Sequence, residues 1–231
     1  MQNKARLGPA DWILWGAASV AIAVALYAAF LYAPTERTMG DIQRIFYFHV
    51  ASAWIGFLAF FVVFVASIAY LATKSIKWDV LAASSAEIGV VFSSLVLVTG
   101  PLWARPVWNT YWTWDPRLTS FLILWLIYIA YLMLRAYAGE EEKSARFAAV
   151  FGIIGFLDVP IVYASIRLWR TLHPKPVVGG GSGSGLAPAM LTSLFIALAA
   201  FLILYVALLY LRIRLEKVRR AVRQLQLDLN R

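Results

Sequence analysis

The chain contains two histidines, His49 in RIFYFHVASAW and His173 in RLWRTLHPKP, and no cysteine, so any metal chemistry must use ligands other than thiolate. Between them, at 103–119, lies WARPVWNTYWTWDPRLT, which sets Trp108, Tyr111, Trp112 and Trp114 within seven residues and Trp103 just upstream. Neutral imidazole nitrogen is a good ligand for iron, and two such rings can hold a flat macrocycle from its two axial directions. Indole faces stack offset on a large conjugated ring and shield it from water. Arg105 and Arg117 bracket the cluster, and a guanidinium fork pairs bidentately with a carboxylate such as a haem propionate. Asp115 would repel a propionate and suits a supporting role, orienting Arg117, a tryptophan N–H or an imidazole. The set fits a flat, apolar, iron-containing ligand, haem, with His49 and His173 as the metal ligands.

Each feature has a plainer reading. Tryptophan and tyrosine gather at membrane interfaces, which accounts for Trp12, Trp15, Trp54, Trp78 and Trp169. Such a belt needs one or two rings per span, whereas the 108–114 cluster packs four into two helical turns' worth of chain. A lone histidine is more often a hydrogen-bonding residue than a ligand, but here the two share a side with the aromatic cluster.

That sharing follows from the elements that carry these residues. With 62% hydrophobic and 14% charged residues, the chain lies far from the soluble average of about 25% charged. The apolar residues arrive in six blocks, at 12–32, 46–72, 80–98, 119–133 with a reach to 136, 147–166 and 189–211. Each is near the ~20 residues that cross a ~30 Å hydrocarbon core. Lipid offers no partner for an unpaired backbone group, so these blocks must be helices. The first is longer than the apolar region of a secretory signal and lacks a small-residue cleavage pattern. His49, the tryptophan segment and His173 all follow an odd number of crossings, which places them on one side whatever the absolute orientation. Of the 21 Lys and Arg residues, 14 fall on the other side, and positive charge marks the inner side. The expected fold class is an all-α polytopic membrane protein with six transmembrane helices, both termini cytoplasmic, and the tryptophan loop and both histidines outside.

One transmembrane domain accounts for residues 1–214, with an outer aromatic segment at 103–119 and an outer loop at 167–188 whose GGGSGSG run reads as a flexible linker. That glycine-rich stretch makes His173 the more displaceable of the two imidazoles. Residues 215–231 form a basic amphipathic tail in which Leu211, Leu215, Val218, Val222, Leu225 and Leu229 alternate steps of four and three, one helical stripe suited to lipid or to a partner helix. The net charge of +9 flanks apolar spans, so it points to an anionic bilayer surface and not to nucleic acid. Glu87 and Asp158 fall within spans, where a carboxylate must face protein or water; they read best as hydrogen-bonded pins between helices, with Pro160 kinking the fifth span. No serine–histidine–carboxylate or phosphate-loop arrangement is visible, which argues against a hydrolase or an ATPase.

At these residues the sequence resembles the CcmC family, haem-handling membrane proteins with a tryptophan-rich WWD segment. RIFYFHV resembles the family's first histidine motif, GPLWARPVWNTYWTWDPRLTS its WWD segment, and DVPIVYASIRLWRTLHP the run ending at its second histidine. Ala51, Ala104, Asn109 and Tyr111 depart from the family pattern. The resemblance implies His49 and His173 as axial ligands of haem b, and a platform shaped by Trp103, Trp108, Trp112, Trp114, Asp115 and Arg117. It also implies a place in the bacterial cytoplasmic (inner) membrane with the site on the periplasmic side, delivery of haem to the chaperone CcmE in cytochrome c biogenesis, and CcmD, CcmA and CcmB as partners. Transfer by ligand exchange needs no enzyme. The alternatives are a cytochrome c synthase of the CcsA or CcmF kind, whose members are longer and richer in histidine, and a structural subunit that binds no haem.

Overall fold

The computed structural model of the chain describes residues 8–137, 141–171, 173 and 185–229. Among them the elements are helical: α1 Pro9–Tyr27, continued by a π turn Ala28–Tyr32; a 3₁₀ turn Asp41–Arg44 leading into α2 Ile45–Thr73; α3 Ile76–Trp108; α4 Pro116–Tyr137; α5 Glu141–Phe156; α6 Asp158–Leu168; and α7 Pro188–Leu229. They supply six helical segments long and apolar enough to cross a membrane, α5 and α6 forming one of them. Most of the expected outer loop, including 179–184 of the glycine-rich run, lies outside the described residues.

The helices are longer than the apolar blocks that announce them. The third block ends at Val98, but α3 runs on to Trp108 through Pro101 and Pro106. Proline is tolerated in such helices because neighbouring groups take over the freed carbonyls. Trp103 and Trp108 therefore ride on a helix end, and only 109–115 of the aromatic segment is non-helical. The fifth span breaks at Leu157, where α5 gives way to α6. Asp158 opens α6 with Pro160 in its first turn, but Oδ2 of Asp158 is buried with no hydrogen-bond partner among the described residues, so the hydrogen-bonded pin expected of this carboxylate is not made at that oxygen.

α2 and α3 form the central wall. α1 and α7 pack on one side of it through Ala25, Ala51, Ile55, Phe92 and Phe201, and α4, α5 and α6 on the other through Phe60, Ala86, Leu124 and Val162. Small residues let the two central helices approach closely: a Cβ on Gly89 would lie 2.6 Å from Cε1 of Phe60 and 3.0 Å from Cβ of Ala59. Phe60 cannot yield, since its ring is fully buried and stacked on Tyr128 at 3.6 Å. Gly89→Val is therefore expected to destabilise the fold by about 1–3 kcal/mol through overpacking, read as a lower thermal midpoint of tryptophan fluorescence in detergent. Hydroxyls pin the wall to its neighbours. Ser85 Oγ donates to the Ala59 carbonyl at 2.8 Å and meets Tyr205 Oη at 2.8 Å, joining α2, α3 and α7, while Trp125 Nε1 donates to Ser94 Oγ at 2.9 Å, joining α4 to α3.

At one end of this bundle Arg44 fixes the entry into α2. Its Nη1 donates to the carbonyls of Ala29 at 2.5 Å and Ala33 at 3.2 Å, and its Nε to Asp41 at 3.0 Å. In the preceding turn the backbone amide of Met39, helped by that of Thr38, holds the Glu36 carboxyl below the usual carboxylate range. At the opposite end ion pairs tie α7 to the other helices: Arg214 to Asp11 of α1, Arg212 to Glu87 of α3 at 2.5 Å, and Arg220 to Asp79 of α3 at 3.0 Å. Glu87 is thus a pin between helices, as its position within a span suggested.

Candidate functional site

The beginning of α2, the end of α3, the 109–115 loop, the start of α4 and His173 enclose one cavity of about 780 Å³, part of it open to solvent. Its walls include His49, Trp103, Trp108, Trp112, Asp115, Arg117 and His173, with Leu97, Leu118 and Phe121 supplying apolar surface. The two imidazoles, remote in sequence, line the same space.

His49 is held from several directions. Its Nδ1 lies 2.9 Å from Thr99 Oγ1, and Thr99 Oγ1 lies 2.7 Å from the Leu95 carbonyl. A hydroxyl has one proton, and this one goes to Leu95, so Thr99 accepts from Nδ1–H. That arrangement favours the Nδ1–H tautomer, in which Nε2 keeps the lone pair that a metal requires. The Trp103 ring stands edge-on to the imidazole at 5.9 Å and edge-on to Phe46 at 5.9 Å. Gly100 leaves room on another side, since a Cβ there would lie 3.3 Å from Cε1 of His49. The ring is buried and faces an open space with a free nitrogen.

The loop that carries the remaining aromatics is shaped by its two ends. α3 stops at Asn109, which adopts the left-handed conformation at φ 57°. Asparagine is the residue after glycine that accepts this cap most readily, so the departure at 109 preserves the turn. Arg105 Nη1 donates to the Asn109 carbonyl at 2.8 Å and to its side chain, closing the same cap. α4 begins at Asp115, whose Oδ1 accepts the backbone N–H of Arg117 at 2.9 Å and of Leu118 at 3.1 Å, and whose Oδ2 accepts from Thr113 Oγ1 at 3.1 Å. Asp115 is a helix N-cap with Pro116 at the first helical position, a stop-and-start signal written in the sequence as Asp-Pro. It orients Arg117 through the backbone, and the Arg117 guanidinium donates to the Val162 carbonyl of α6 at 2.5 Å.

Seven of the nine residues expected at the site line the cavity, and two do not. Trp114 is 75% exposed and stands edge-on beside Trp112 at 5.7 Å. Arg105 points to Asn109 and lies over the Tyr111 ring at 5.5 Å, outside the cavity wall. Trp103 and Trp112 share a further property: the indole N–H of each is buried with no hydrogen-bond partner among the described residues. A buried donor left unpaired is costly, so a ligand presenting acceptors there would relieve it.

Comparison with known proteins decides the family. The family model described as CcmC, heme exporter protein C, matches residues 4–228. The chain belongs to the CcmC family. Heme exporter protein C of Bradyrhizobium diazoefficiens is 39% identical over 215 residues, covering 92% of this chain and 81% of that protein. Heme exporter protein C of Escherichia coli strain K12 is 32% identical over 205 residues, covering 86% and 80%. A putative cytochrome c biosynthesis ccmC-like mitochondrial protein of Marchantia polymorpha is 36% identical over 182 residues, covering 79% and 77%.

Within this CcmC chain the residue that sequence reasoning missed is Thr99. Its signal was faint: a hydroxyl one helical turn before Trp103 in a run of apolar residues, with nothing in the sequence to say that His49, fifty positions earlier, sits opposite. The threonines at 110 and 113, which also line the cavity, were passed over for the same reason.

Proposed function

We propose that this member of the CcmC family binds haem b as cargo in the cavity, at the periplasmic face of the bacterial cytoplasmic membrane, with His49 and His173 as axial ligands. Haem then passes to the chaperone CcmE in cytochrome c maturation, with CcmD, CcmA and CcmB as partner subunits. The observation that carries the reading is that two histidines more than a hundred residues apart line one aromatic-walled space. The unsatisfied N–H groups of Trp103 and Trp112 and the tautomer of His49 fit the same ligand.

Transfer by ligand exchange requires one strong and one displaceable axial contact. His49 is anchored by a helix, by Thr99 and by Trp103, so His173 is the ligand that an incoming group replaces. Arg117, held by Val162, presents its cationic group at the wall, where a propionate gains most from it. Asp115 keeps Arg117 at that wall by holding the first turn of α4. The partial opening to solvent is what delivery requires, because a sealed site would bind haem without releasing it.

Absorbance of the purified protein tests this. Wild type prepared from haem-replete cells is expected to show a Soret band, and the double variant His49→Ala, His173→Ala to lack it. Haem retained at wild-type stoichiometry by the double variant would overturn the ligand assignment. Reconstitution with apocytochrome alone separates transfer from synthesis: thioether-linked haem formed there would move the chain to the synthase class.

A further inference from the structure

The tail of α7 carries a surface that the haem cavity does not use. α7 is one unbroken helix of 42 residues, about 63 Å long at ~1.5 Å per residue. A bilayer with its headgroups is ~40–45 Å thick, so α7 extends well past it. The protruding end is the one opposite the cavity, where Arg214, Arg212 and Arg220 hold the helix to Asp11, Glu87 and Asp79. Beyond Arg220 the helix continues to Leu229 with an apolar stripe along one face: Leu215 is 51% exposed, Val218 51%, Val222 48%, Leu225 53% and Leu229 84%.

The spacing of that stripe is stricter than a general amphipathic pattern. Steps of four and three from Leu211 to Leu229 make the a and d positions of a heptad, the seam along which two helices pack knobs into holes. Arg220 falls opposite the seam, where it bonds to the bundle, so the stripe faces away from the chain's own core. Its part beyond the headgroups, from about Val218 onward at ~1.5 Å per residue, stands clear of lipid. A helix lying on a membrane would have to turn away from its own span, and sharp kinks need proline, glycine or an inserted group; from Leu191 to Leu229 the sequence has neither proline nor glycine.

A second copy is an unsuitable partner. Two copies crossing one membrane in the same sense run parallel, and in a parallel pair each g position faces the following e position of the other helix. Arg212 and Arg214 beside the seam are held by Glu87 and Asp11, so it is Arg219, with Lys217 and Arg223 near it, that a parallel pair would set against the same cations of the other copy. Between 212 and 231 the tail carries seven Lys or Arg against two Asp or Glu. Like charges across such a seam are unfavourable, while acidic flanks are complementary. We propose that the cytoplasmic end of α7 is half of a two-helix coiled coil whose other half is an amphipathic helix of a different protein, leucine-rich along its seam and flanked by Glu or Asp.

Because the chain has no cysteine, Leu225→Cys provides a unique attachment point for a nitroxide in the full-length protein in anionic lipid nanodiscs. The probes are two synthetic helices of about four heptads with leucine at a and d, one with Glu and one with Lys at e and g. The label is expected to be open to a water-borne nickel complex, and to become immobilised and shielded when the Glu helix is added. The Lys helix is expected to bind at least about tenfold more weakly, and Arg219→Glu to narrow that preference. A label reached by oxygen but not by nickel before any peptide is added would mean that lipid covers the stripe. Short label-to-label distances in discs holding two chains would mean self-pairing, and equal binding of both peptides would mean an unselective apolar surface. Any of these three overturns the proposal.

Discussion

Asp79→Ala is expected to be the most damaging single change to the fold, lowering stability by about 3–5 kcal/mol and preventing much of the protein from accumulating. Asp79 is 3% exposed, and its carboxylate is the common acceptor for two arginines from other helices. Arg135 of α4 forms a fork on it, Nη1 to Oδ1 at 2.5 Å and Nη2 to Oδ2 at 2.9 Å, and Arg220 of α7 reaches Oδ2 at 3.0 Å. Removing the acid strands the largely buried guanidinium of Arg135 and leaves Arg220 with Glu216 at 3.0 Å, and an uncompensated buried charge costs more than the pair ever contributed. Against a total stability of about 5–15 kcal/mol, that loss is decisive. Arg220→Ala should cost less, because the fork from Arg135 survives and Asp79 keeps two of its three contacts. The ordering is checked by thermal melts of the purified variants in detergent; an Asp79→Ala midpoint equal to wild type would show that solvent reaches both arginines after the change. Since the network lies at the end opposite the cavity, any Asp79→Ala protein that does fold should keep the haem spectrum of wild type.

None of these ion pairs was legible in the sequence, and the reason is distance along the chain. Asp79 and Arg220 are 141 residues apart, Asp11 and Arg214 203, and composition alone assigns such arginines to a basic surface facing lipid. The six spans, by contrast, were plain, because hydrocarbon imposes the same length and polarity on every crossing. Parity then put His49, His173 and the tryptophan segment on one side, and the shared cavity agrees with it. What parity cannot supply is direction. Trp103, Trp108, Trp112 and Trp114 look alike in sequence, yet Trp103 is packed between Phe46 and His49 while Trp114 stands mostly in the open. The difference arises because α3 continues through two prolines and fixes the phase of Trp103 and Trp108, whereas Trp114 falls in the short non-helical stretch before α4. The cap at Asp115 is legible in the sequence itself: an acid followed by proline at the head of an apolar run is a helix start.

The second large effect is expected at Thr99 and, on the proposed ligation of haem by His49, it concerns that ligand without touching it. Thr99→Val keeps the shape of the side chain and removes the hydroxyl that accepts from Nδ1–H of His49, while the Leu95 carbonyl loses a donor it can spare within a helix. The imidazole then has no reason to keep its proton on Nδ1, and whatever fraction carries it on Nε2 cannot ligate a metal through that atom. Loss of a hydrogen-bond partner behind a ligating histidine typically weakens metal binding by about 10–100-fold. Haem affinity of Thr99→Val should fall by that order, with a shifted reduction potential in whatever complex remains, and Thr99→Ser should restore both because it returns the acceptor. The thermal midpoint should move little, since a hydroxyl is exchanged for a methyl of similar size in a helix that many other contacts hold, and the imidazole can move its proton to Nε2, on the side of the cavity. That combination separates a role in orienting the ligand from a role in packing: a valine variant that binds haem as wild type does would mean that Trp103 and the α2 backbone fix the ring unaided. Haem lost equally from the valine and serine variants would trace the effect to the shape of the α2–α3 contact and not to the proton.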